Sequence, residues 1–156
     1  MTFKRILPLL GLMVGFATTH VYASPNILNE ATAIEAQMDK VKPDPMNSDV
    51  ADEQDAIIHR SIDFVKKALS QRQVDDQVIR AVARIMVRNA PYDQADDLAQ
   101  MDYDVIKKHW KALNQELKHL ESAGTFSSKA VERVRTSIDI AINVRKRGGT
   151  DVIKKK

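Results

Sequence analysis

The sequence predicts an all-α fold, a single small bundle of about four to five helices, and three features carry that expectation. Glycine is scarce, five residues in 156. No run of β-branched residues alternates with polar ones at period two, as a half-buried strand would. Apolar residues instead recur at spacings of three and four along most of the chain, which gathers them on one face of a helix. The sharpest part is a C-terminal antiparallel helical hairpin, about 102–122 and 127–147.

The N-terminus precedes the bundle. MTFKR carries Lys4 and Arg5, and an apolar run from Ile6 to Ala17 follows. Val21 and Ala23 then stand at the −3 and −1 positions of a small-residue cleavage site. A charged start, a short apolar stretch and such a site describe a secretory signal peptide over 1–23, with Ser24 as the first mature residue. The apolar run falls short of the ~20 residues that span a bilayer, which argues against an uncleaved anchor. The reading is therefore a periplasmic or secreted protein.

Residues 24–48 read as an N-terminal helix and a proline-containing linker. Ile27, Ala31, Ile34, Met38 and Val41 form one stripe, and Pro43 and Pro45 break it because each disfavours helix at the residue before it. Residues 49–147 form the helical domain. Ser48 or Asp49 caps a second helix running to about Gln71, with Ile58, Ile62, Val65 and Leu69 inward. A third spans about Asp75–Asn89 and turns Val78, Ile79, Val82, Ile85 and Met86 to the core; Pro91 closes it. The polar segment 91–102 is a connector with room for one short helix started by Asp93. Asp102 caps the next helix, whose Tyr103, Ile106, Trp110, Leu113, Leu117 and Leu120 make a coiled-coil-like seam. Gly124 ends it in the left-handed conformation and Ser127 caps its partner. Val131, Val134, Ile138, Ala141 and Ile142 then face the seam. Residues 148–156 are a flexible basic tail.

The charge pattern excludes a uniformly basic nucleic-acid binder, so no nucleic acid is called as a partner. The formal charge of +3 falls to +1 once Lys4 and Arg5 leave with the signal. Residues 145–156 hold six bases and one acid, which leaves −4 on 24–144. Charge comes in blocks: three bases and nine acids over 24–63, six bases and two acids over 64–90, five acids and no base over 91–104. Such blocks suit helices that attract one another when folded.

Chemistry is sparsely represented. Without cysteine there is no thiol nucleophile, disulfide exchange or thiolate-bound metal. No nucleophile motif or phosphate-cradling glycine loop is present, so neither catalytic residue, metal nor cofactor is assigned and the chain is read as a non-enzyme. His59 stands four residues from both Asp55 and Asp63, on one helix face; one imidazole and two carboxylates make a weak ligand set, and an exposed charge ladder is favoured. His109 and His119, ten apart, are not a chelating pair. Trp110 is read as core.

Two groups remain as candidate sites. Arg80, Arg84 and Arg88 advance only about forty degrees per step of four and so form a stripe. It can be a solvated face, pair with the acidic 91–104 block or the acidic first helix, or meet an acidic partner or anionic envelope phosphates. Lys154, Lys155 and Lys156 would add a weak electrostatic contact to the last use. Ile140 and Val144 lie off the main stripe of the last helix, and, if exposed, they suit a partner protein or a homo-oligomer. The preferred function is an exported helical protein-interaction module, an adaptor, chaperone or inhibitory partner. The alternative is a binder of lipopolysaccharide or anionic lipid.

Overall fold

The computed structural model describes residues 25–41, 47–92 and 94–147. They form six α-helices and, among the described residues, no strand: α1 Pro25–Lys40, α2 Ser48–Leu69, α3 Asp76–Arg88, α4 Ala95–Ala99, α5 Tyr103–Ser122 and α6 Ser128–Lys146. The bundle expected from the sequence is the fold. The expected signal peptide at 1–23, the expected break at Pro43 and Pro45, the expected helix start at Asp93 and the expected tail at 148–156 lie outside the described residues.

Side chains set the helix starts. Asn47 caps α2, its Oδ1 accepting from the Asp49 amide at 3.1 Å. The cap therefore lies one residue before the expected Ser48 and two before the expected Asp49, because an asparagine oxygen reaches the amide two residues on as readily as either of them. Asp75 caps α3 through the Val78 amide at 3.0 Å, and Asp102 caps α5 through that of Asp104 at 2.8 Å. Gln94, at the start of α4, makes no side-chain cap.

Gly124 is the one described residue of positive φ, at 67°. Around it the Thr125 amide donates to Leu120 O and the Gly124 amide to Glu121 O, the paired bonds of a Schellman ending. Ser127 Oγ then accepts from the Ala130 amide, so α6 starts after a short connection and returns along α5, as the hairpin reading expects.

α3 is the hub, packing on α1, α2, α5 and α6. Eight of its thirteen residues are buried, Ala81, Ala83 and Val87 in addition to the five of the expected stripe. Small side chains let neighbouring backbones approach from several directions, which a single-stripe reading does not foresee. α1 contributes Ile27, Ala31 and Ile34 to the same core as α2, α3, α5 and α6. On α5 the buried line is Ile106, His109, Leu113, Leu117 and Leu120, while Tyr103 and Trp110 are half-buried at its edge. Among the described residues no helix is long and apolar enough to cross a membrane.

Candidate functional site

The outer face of α6 begins with the phase of its helix. Val131, Val134, Ile138 and Ala141 are buried, and Ile140 and Val144, four apart, project on the far side. They are 45% and 43% exposed. Tyr92 is 40% exposed and joins the same surface: with Pro91 it lines a groove against Arg133, Ser137 and Ile140 of α6. These three are the exposed large apolar side chains among the described residues.

Tyr92 owes its position to a tightly tied turn. After α3, the Asn89 amide donates to Ile85 O, that of Ala90 to Val87 O and that of Tyr92 to Asn89 O at 2.9 Å. The buried Gln94 donates from Nε2 to Met86 O at 3.0 Å, satisfying a carbonyl in the last turn of α3 that has no helical partner of its own. The loop tip is thereby held outward between two parts of the bundle. On its other side Tyr92 lines a second groove, with Met38 and Val41 beside α2 residues Gln54, Ile57 and Ile58. Helical spacing marks Ile140 and Val144 in the sequence, whereas Tyr92, in a loop, has no periodicity to mark it.

The arginine stripe meets α1. Arg84 donates from Nε to Glu35 Oε1 at 2.8 Å and from Nη2 to Oε2 at 3.2 Å, a two-point contact. That hydrogen bonding to Glu35 raises the Arg84 pKa against the opposing effect of burial, and the charges of Glu35 and Glu116 add to it. Arg88 donates to the Asp39 carboxylate and, at 3.4 Å, to Glu35 O. Arg80 is more exposed and lies 3.9 Å from Glu116 of α5. Of the uses weighed from sequence, the structure displays pairing with the acidic first helix. Lys154, Lys155 and Lys156 lie outside the described residues.

The histidines part company. His59 is exposed, with Nδ1 2.9 Å from Asp55 O, and among the described residues no group of three His, Asp or Glu side chains could hold a metal ion. His109 is buried. Its pKa is lowered by burial and by Lys108, against a hydrogen bond with the Leu69 carbonyl at the end of α2. A signal for this was available: 106, 109, 113, 117 and 120 form a stripe of the same helix rotated slightly from the aromatic one. A comparison with known protein families, curated proteins and solved structures finds no match.

Proposed function

We propose that this chain is an exported helical protein-interaction module, periplasmic or secreted, that acts by burying a helix face and carries out no catalysis. The observation that supports the reading is the apolar surface of Ile140, Val144 and Tyr92. Single exposed apolar residues are ordinary, but two on one helix face beside an aromatic loop tip and its grooves are the kind of patch that partners cover. Replacing Ile140 and Val144 by Asp should abolish capture of a specific partner from an envelope extract while circular dichroism stays unchanged; undiminished capture would overturn the reading. Export rests on the charged and apolar start of the chain, and N-terminal sequencing of the native protein should begin at Ser24. The anionic-envelope alternative has less support, because lipid phosphates would compete with carboxylates already held by Arg84 and Arg88.

A further inference from the structure

We propose that the outer face of α5 docks on the phosphates of an anionic lipid bilayer, a peripheral contact that goes beyond the partner reading above and uses other residues. The observation behind it is a sorting of charge around that helix. At about 100° per residue, Lys107, Lys108, Lys111 and Lys118 fall within a single arc of about 100°. The middle of that arc is opposite the buried line of Ile106, His109, Leu113, Leu117 and Leu120. All four lysines are exposed, and none forms a salt bridge with a described residue. Two of the three acids of α5 are turned away from them: Glu116 lies 3.9 Å from Arg80 of α3, and Glu121 lies 3.5 Å from Arg135 of α6. The third, Asp104, is in the first turn beside the capping Asp102, where the positive end of the helix dipole answers carboxylates.

Two further points decide the occupant. The first is the choice of cation. Carboxylates are met in this fold mainly by arginine, at Arg80, Arg84, Arg88 and Arg135, whose planar fork matches them. The α5 face holds lysine and no arginine. Lysine is depleted in protein interfaces, whereas each lysine near an anionic bilayer adds an attraction that needs no fixed geometry. The second point is where the acids lie. His109 meets the Leu69 carbonyl at the end of α2, so Lys107, Lys108 and Lys111 stand at that end of the bundle. The exposed Asp49, Asp52, Glu53 and Asp55, which form no salt bridge with a described residue, begin the same helix. They are about 20–30 Å along its axis from Leu69. At 0.1 M salt charges are screened beyond about 10 Å, so these acids do not repel a surface at α5. The arginine stripe is closed to lipid phosphates by the carboxylates of α1; the lysines of α5 are open to them.

The test is co-sedimentation of the native protein with vesicles, with circular dichroism to confirm that each variant is folded. At 0.1 M salt it should bind vesicles of phosphatidylglycerol and phosphatidylcholine and not those of phosphatidylcholine alone. Binding should be lost at 1 M salt, where the screening length falls to about 3 Å. Lys107→Gln, Lys111→Gln and Lys118→Gln together should lower the partition coefficient about a hundredfold, while arginine at the same three positions should keep it. Lys129→Gln, Arg133→Gln and Lys146→Gln together remove as much charge from α6 and should leave binding as it is. All variants share their termini, so differences among them report on α5 and not on Lys154, Lys155 and Lys156. Vesicle binding without anionic preference, an α5 variant that binds like the native protein, or an α6 variant that loses as much would overturn the proposal. So would a native protein that ignores the vesicles and binds soluble polyglutamate, which would make an acidic protein the occupant. Ile140→Asp with Val144→Asp should leave vesicle binding intact, so this proposal and the partner reading fail separately.

Discussion

Arg84 and His109 are the residues whose surroundings make the sharpest demands. Arg84 joins α3 to α1 through both oxygens of Glu35. A charge-assisted bond of this kind contributes about 1.5–3 kcal/mol when sheltered, but the Arg84 side chain is 38% exposed, and water screening brings the expectation down to about 1 kcal/mol. Arg84→Met, which keeps the stem, should therefore lower unfolding stability by about 1 kcal/mol in urea, and a cycle with Glu35→Gln should show the two losses to be coupled. His109 predicts a pH dependence. Burial lowers its folded pKa below the ordinary 6.5, so on acidification the unfolded chain takes up a proton that the folded chain resists. Its contribution is complete above about pH 6.5 and declines as pH falls from there towards the folded value. The urea midpoint should drop between pH 7.5 and 5.5, and His109→Gln should shrink that drop; an equal drop in the variant would show that other groups cause it. Sequence foresaw the acidic first helix as one partner for the arginines, because charge blocks are visible in one dimension. It did not foresee a buried His109, because two overlapping stripes on one helix share most of their residues and only the packing of α2 selects between them.

At the scale of elements, the ends were more legible than the centre. Caps and breakers are local: Asp75, Asp102, Ser127 and Gly124 act on amides and carbonyls within a few residues, so their roles can be read from the chain. Gly124 offers a clean test. No atom lies within 4 Å of where its Cβ would stand, so Gly124→Ala meets no steric neighbour and isolates the backbone effect of φ 67°. A left-handed alanine costs about 1 kcal/mol relative to glycine. Gly124→Ala should lower stability by about that amount, and Gly124→Asn, whose side chain tolerates this conformation, by less. A thermal melt unchanged in the alanine variant would mean that the hairpin does not depend on its Schellman ending. The burial of α3 was less legible, since Ala81, Ala83 and Val87 look like filler between stripes until helices on several sides close over them. The same limit explains Tyr92: a loop tip has no periodicity, and only the tertiary position of α6 beside it turns an ordinary tyrosine into the middle of a surface.

For the molecule as a whole, the open matter in the sequence was how the N-terminal helix relates to the rest, since Pro43 and Pro45, in the linker that ends 24–48, stand between that helix and 49–147. In the fold α1 is an integral wall of the bundle. Ile27, Ala31 and Ile34 are at most 2% exposed, and Glu30, Glu35 and Asp39 reach Lys67, Arg84 and Arg88. The chain's alternating charge blocks thus find their counterparts across α1, α2 and α3, which is why the arginine stripe carries so little free positive charge. Removing α1 would bare the α3 flank and the inward side of α2 together. Truncation of one buried isoleucine costs about 2–5 kcal/mol, and α1 holds two, against a total stability of about 5–15 kcal/mol for a domain of this kind. A fragment 47–147, which keeps the Asn47 cap, should therefore lose cooperative unfolding and bind a hydrophobic dye that the intact protein excludes. Adding a peptide of residues 25–41 should restore the sigmoidal melt, and a peptide with Ile34→Asp should not. A fragment that melts as sharply as the intact protein would mean that α2 to α6 close their core without α1, and that the acidic helix serves as a cover for the arginines more than as part of the fold.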